Sequence, residues 1–135
     1  MTELMTDEGS LITTNIHGVS RPGDKLDSPG RIKLSEEIID YLKDKKDIPQ
    51  IICGDFNLLP FTKSAVIFED AGYQNLIKEH RISTTRNELA WDRFLGNKQL
   101  FADYTFVSDK VEVKDFKVPN IPISDHLPMI LDFVV

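Results

Sequence analysis

The 135-residue sequence predicts one layered domain of the α/β or α+β class. Two observations lead there. Through the first half, strand-like and helix-like stretches follow in the order strand, helix, strand, helix, and the last third then reads as strands. No internal repeat, low-complexity tract or linker interrupts them.

Residues 1–9 read as a polar leader and residues 10–135 as the domain. Leu11-Ile12-Thr13-Thr14-Asn15-Ile16-His17 is rich in β-branched residues and stops at Gly18, which predicts a strand. Val19 to Gly30 holds Pro22, Gly23, Pro29 and Gly30 among charges, the composition of a surface loop. Ser28-Pro29 reads as an N-cap followed by proline at the first helical position. From Arg31 to Lys46, Leu34, Ile38 and Leu42 recur every four residues with Ile39 alongside, so they form one helical face and Arg31 is expected in solvent. Lys43, Lys45 and Lys46 gather where the helix dipole favours cations, and read as a helix terminus rather than a nucleic-acid patch.

Pro49 closes that helix, and Gln50-Ile51-Ile52-Cys53 predicts a short buried strand running into Gly54-Asp55-Phe56-Asn57. A second helix is expected over Lys63 to Ala71, stopped by Gly72. Asn75 to Gln99 offers a short helical piece and then a polar loop around Trp91, with Trp91 and Phe94 expected to pack rather than to stack on bases. Ala102 to Ser108 and Val111 to Val118 predict two strands joined through Ser108-Asp109-Lys110. Met129 to Val135 predicts a closing strand too apolar for an exposed edge.

Composition narrows the function. A hydrophobic fraction of 41% and a charged fraction of 28% are those of a soluble chain able to bury a core. The net charge of −6 argues against a nucleic-acid coat or a membrane-surface protein, which need clustered Lys and Arg. It leaves room for an enzyme that meets phosphate through a metal ion. Cys53 is the only cysteine, so neither an internal disulfide nor a cysteine-rich zinc cage can form, and a reducing, cytoplasmic location is expected. The first ten residues lack a basic and an apolar region, and no apolar run approaches the ~20 residues of a membrane span.

Chemistry-bearing side chains collect at strand ends, where ligand sites of open α/β sheets gather. Asn15 and His17 end the first strand, Asp55 and Asn57 follow the buried Ile51-Ile52-Cys53 run, Asp103 opens an apolar strand, and Ser124-Asp125-His126 precedes the last. Taken singly, each has an ordinary structural explanation: a turn, a cap or a partly buried histidine. Together they form an inventory of acids, bases and hard-cation ligands suited to Mg²⁺. A histidine held by a carboxylate is suited to work on a phosphate oxygen.

The order Asn-Ile-His-Gly, Gly-Asp-Phe-Asn, Ala-Asp-Tyr-Thr-Phe-Val-Ser and Ser-Asp-His-Leu-Pro resembles the endonuclease/exonuclease/phosphatase family with its DNase I-like fold. The resemblance covers roughly residues 10–135, and its weight lies in Gly54–Asn57 combined with Ser124–Pro128. It implies a mixed, largely antiparallel sheet with covering helices, about half of a four-layered sandwich. It also implies hydrolysis of a phosphoester with Mg²⁺ or Mn²⁺, the substrate being a nucleic acid or a small or lipid-derived phosphoester. By motif, His126 would sit at the scissile phosphate, oriented by Asp103. Asp55 would position the attacking water, and Asn57 would donate to a phosphoryl oxygen. Asp125 would belong to the metal shell, to which Asp55 and Asn57 also contribute, and His17 would be a second phosphate-contacting histidine assisted by Asn15.

The match departs from the family where the principal metal ligand, a glutamate on an earlier strand, should stand. Glu3, Asp7 and Glu8 lie in the polar leader and are poor replacements. The chain therefore reads as the C-terminal half of the fold, whose uncovered sheet face invites a homodimer. Two readings stay open: a metal-dependent phosphodiesterase or nuclease, and a catalytically silent remnant acting as a structural or binding module. Arg86 or Arg93 could touch substrate phosphate, although an ordinary solvated loop explains them as well.

Overall fold

The computed structural model describes residues 1–6, 9–92, 96 and 98–135. Strands β1 (Thr2–Thr6), β2 (Gly9–His17), β3 (Gln50–Asp55), β4 (Gln74–Asn75) and β5 (Asp103–Val107) form one sheet in the order β1-β2-β3-β5-β4. Only the β2–β3 pair is parallel, so the sheet is mixed and largely antiparallel, as expected. A parallel pair needs a long crossover, and α1 (Pro29–Leu42) supplies it. Short helices α2 (Lys63–Asp70), α3 (Leu76–Glu79) and α4 (Glu88–Trp91) follow, while β6 (Glu112–Lys117) and β7 (Ile130–Val134) pair antiparallel as a separate ribbon. No described helix is long and apolar enough to cross a membrane.

The core sits between the sheet and α1 and α2. Ile52, Tyr104 and Phe106 from the sheet meet Leu42 of α1 and Phe68 of α2. Phe56 lies at the centre, edge-on to Phe68, Tyr104 and Phe106 with ring centres 5.4, 5.7 and 5.5 Å away. Burial of large aromatics at these spacings is a main source of stability in a domain of this size.

α1 begins as its sequence dictates: Ser28 Oγ accepts from the Arg31 amide and Pro29 opens the first turn. It closes at Leu42 and tightens into a 3₁₀ turn over Lys43–Lys45, short of the expected Lys46. Its innermost residues are Arg31, Ser35 and Leu42, with Ile38 and Ile39 only partly buried. Arg31 is therefore not solvated but 2% exposed. Its guanidinium is satisfied by the carbonyls of Val19, Pro22 and Leu26 and by Asp24, which is what allows a cation so deep. The Val19–Gly30 loop is thus pinned rather than loose. Asp27 pins it a second time, accepting from the Lys63 and Ser64 amides and the Ser64 hydroxyl at the start of α2.

Two further expectations change. Within the polar leader, where no strand was expected, Thr2–Thr6 forms β1, paired antiparallel with β2 from Thr2↔Thr13 to Thr6↔Gly9. Ladder hydrogen bonds, which hydrophobic periodicity does not reveal, define this strand. The closing strand is not an inner one. β7 belongs to a two-stranded ribbon in which both strands are edges, so Ile130 is 44% exposed while Leu131 and Phe133 turn to the core.

Candidate active site

Three neighbouring strands meet in register at one end of the sheet. β2 ends at His17, β3 ends at Asp55 opposite it, and β5 begins at Asp103 on the other side of Asp55. Gly54 makes that approach possible. Its φ is +129°, and a Cβ there would lie 2.2 Å from the Ile16 carbonyl oxygen. Phe56 then plunges into the core, which anchors the turn between the two polar residues of Gly54–Asn57.

Asn57 takes a left-handed φ of +53°, a conformation asparagine tolerates better than most residues. Its amide donates to Asp55 Oδ1 at 2.9 Å, which fixes that carboxylate. The amides of Phe56 and Asn57 both donate to the Ala102 carbonyl, tying this turn to the residue before Asp103. The Asn57 side chain makes no hydrogen bond among the described residues.

Nδ1 of His126 lies 2.9 Å from both carboxylate oxygens of Asp103. That hydrogen bond, with Asp103's charge, outweighs the effect of burial and holds the His126 imidazolium above its ordinary pKa. The other ring nitrogen, Nε2, faces Asp125 Oδ2 at 3.9 Å and Asp55 Oδ2 at 4.0 Å. Asp125 is also paired with Arg86. Burial alone would raise the Asp125 pKa, but the charges of His126 and Arg86 bring it below the usual carboxylate value.

The sequence missed the residues that hold this arrangement. Thr85 is fully buried; its hydroxyl accepts from the amides of Ala102 and Asp103, and its carbonyl accepts from Leu127. One residue thereby locks the Asp103 strand end to the His126 segment. Arg86 forms an isolated backbone bridge with His126, and Asn87 donates from its amide to the Asp125 carbonyl and from its side chain to the Ser124 carbonyl. The Ser83–Arg86 stretch is thus a scaffold for the Asp-His pair, and Arg86 meets Asp125 rather than solvent.

Lys25 is the other missed residue. It is 4% exposed, has a φ of +58°, and donates from Nζ to the Phe101 carbonyl at 3.0 Å. Its own carbonyl accepts from the Leu59 amide. Burial, and then the nearby Arg86, lower its pKa to about 8 against the pull of Asp55, Asp103 and Asp125. A lone lysine in a Pro/Gly-rich loop carries no sequence signal for such a place.

Of the expected residues, Asp55, Asn57, Asp103, Asp125 and His126 are brought together. His17 stands beside Asp55 in backbone register, but its side chain is exposed and makes no bond or ion pair among the described residues, and Asn15 is likewise exposed. Asp7, Glu8, Arg93 and Phe94 lie outside the described residues. Glu3 is in β1, opposite Ile12.

Ligand atoms of Asp55, Asp103 and His126 lie within 4.8 Å of one another, close enough for a shared cation. Asp103 is occupied on both oxygens by His126 and Asp125 is paired with Arg86, which leaves Asp55 Oδ2 as the carboxylate oxygen with no hydrogen bond among the described residues. Carboxylate oxygens suit a hard divalent cation, which takes a few protein oxygens and completes its shell with water or phosphate.

Comparison with known proteins agrees with the fold. No curated protein sequence matches the chain. Among solved structures, a functionally unknown conserved protein from Enterococcus faecalis superposes with a TM-score of 0.69 at 18% identity, covering 96% of this chain and 52% of its own. A mannosyl-6-phosphatase from Bacteroides thetaiotaomicron superposes with a TM-score of 0.62 at 18% identity, over 93% and 51% of the two chains. The human Nocturnin catalytic domain, solved with a bound sulfate anion, gives 0.60 at 21% identity over 98% and 50%. The chain thus spans about half the length of these structures. The sequence model of the endonuclease/exonuclease/phosphatase family matches residues 4–126, taking in every strand end that carries the site, and the chain belongs to that family.

Proposed function

We propose that this chain carries part of the catalytic centre of a divalent-metal-dependent phosphoester hydrolase of the phosphodiesterase or nuclease type. The observation that carries the reading is the Asp103–His126 pair, with Asp55 and Asp125 at the opposite ring nitrogen. Asp103 fixes the imidazole and favours its protonated form, so Nε2 can donate to a phosphoryl or leaving oxygen as negative charge grows there. Asp55, held through Oδ1 by the Asn57 amide, keeps Oδ2 to orient a water for in-line attack. Asn57 and the exposed His17 would offer further donors to phosphate oxygens. Mg²⁺ or Mn²⁺ held by Asp55, Asp125 and Asn57 would neutralise phosphate charge.

The reading includes three further expectations. The chain would correspond to the C-terminal half of the domain, with the principal metal-ligand glutamate lying outside these residues. Its uncovered sheet face would favour a homodimer, and the protein would work in the cytoplasm. A second reading is a catalytically silent remnant acting as a structural or binding module. Hydrolysis of an aryl phosphodiester with and without Mn²⁺ separates the two. The enzyme reading expects metal-dependent turnover abolished in His126→Ala and Asp55→Asn. Turnover no higher than in those variants would establish the remnant.

A further inference from the structure

A cavity of about 500 Å³ is lined by Arg86 and by Leu127, the residue after His126, and its charge runs against that of the molecule. Arg81, Arg86 and Lys98 line it with a single carboxylate, Glu88, in a chain whose net charge is −6. Trp91 forms a flat aromatic wall, with Lys98 Nζ 4.8 Å from the centre of its ring, and Asn120 adds an amide. The volume is that of a small-molecule site.

Arg86 links this cavity to the residues around His126. Its backbone is bridged to His126, its guanidinium holds Asp125, and its Nε is buried with no hydrogen-bond partner among the described residues. A group bound at His126 would therefore have the rest of its molecule beside Arg86. Guanidinium forks bind phosphate oxygens in pairs, and an aromatic wall suits the face of a sugar or other ring.

Resting on the phosphoester reading above, we propose that the cavity is a second anion subsite. The substrate is then a small phosphoester with two phosphate groups, the scissile one at His126 and the other against Arg81 and Lys98. A long nucleic acid is the less suited ligand, because the chain as a whole is acidic.

Trp91 is the only tryptophan in the sequence, so its fluorescence reports occupancy of this cavity without any turnover. The full metal-free chain is titrated with fructose 1,6-bisphosphate, fructose 6-phosphate, inorganic phosphate and a short single-stranded DNA, and calorimetry repeats the series. The expected result is saturable binding of the bisphosphate at least about tenfold tighter than the monophosphate, a difference worth about 1.4 kcal/mol. An Arg81→Gln/Lys98→Gln variant should lose that advantage. A Lys33→Gln/Lys43→Gln variant, which removes the same charge from the exposed side of α1 and its end, should keep it.

Equal affinity for the two sugars, equal weakening in both variants, or tighter binding of the DNA would each overturn the proposal. Failure of the phosphoester reading would show elsewhere, as absent metal-dependent turnover of the aryl diester while the titration keeps its bisphosphate preference.

Discussion

His126 differs from an ordinary surface histidine because Asp103, only 6% exposed, receives its Nδ1 proton. With the folded pKa raised, the proton on His126 stabilises the fold below the unfolded imidazole value of about 6.5, and that contribution fades as pH rises through the higher folded value. An NMR titration of the metal-free chain should show His126 titrating above the ordinary value, and Asp103→Asn should move it down. An unmoved titration would remove Asp103 as the cause. Lys25 has the opposite sign. Its folded pKa of about 8 lies below its unfolded one, so the folded state binds fewer protons between about 8 and 10.5, and this group alone makes stability rise with pH across that window. Urea midpoints at pH 7.5 and 9.5 should show that increment in the parent chain and its loss in Lys25→Met. The pair also marks what the sequence could and could not disclose. Asp103 and His126 were legible because motif and strand end coincide. Lys25 was not, since its role depends on a left-handed backbone and on carbonyls distant in sequence.

At the scale of elements, the strands and helices that carry apolar periodicity were legible almost to their ends. β2, β3, α1, α2 and β5 all stand where their residue patterns put them. What escaped was structure made by polar groups. β1 is held by ladder bonds, the Ser83–Arg86 stretch by the Thr85 hydroxyl and carbonyl, and the loop before α1 by Arg31 and Asp27. A helical wheel assigns Arg31 to water because it cannot see the three carbonyls that receive it. This loop carries Lys25 to the site, so loosening it should reach function as well as stability. Asp27→Ala removes the acceptor of two amides at the start of α2 and should cost about 1–2 kcal/mol. Arg31→Met leaves buried carbonyls without donors and should cost more, on the order of 2–4 kcal/mol. Urea denaturation ranks the two, and an Asp27→Ala loss as large as that of Arg31→Met would contradict the clamp.

Across the whole molecule, the acidic balance of −6 is concentrated to effect where Asp55, Asp103 and Asp125 converge around one histidine. His126, Arg86 and the buried Lys25 are the cations the chain itself sets against them. If Asp55, Asp125 and Asn57 can hold a divalent ion without a further half of the domain, the folded state gains by mass action. A ligand at 100 times its Kd stabilises by about 2.7 kcal/mol, which for a domain near this size raises Tm by several degrees. Mn²⁺ should therefore raise the Tm of the chain and a chelator should reverse it, while Asp55→Asn should lose most of the gain. Asp40→Asn, an exposed carboxylate on α1 paired with Lys43, should keep it, which distinguishes a site from general screening of a negative surface. The same titration addresses the half-length match independently of catalysis. A Tm that stays flat to millimolar Mn²⁺ means these three ligands are too few alone. A rise that survives Asp55→Asn means the ion sits elsewhere, and only the expected pattern ties the family's metal chemistry to the strand ends at which this chain gathers its carboxylates.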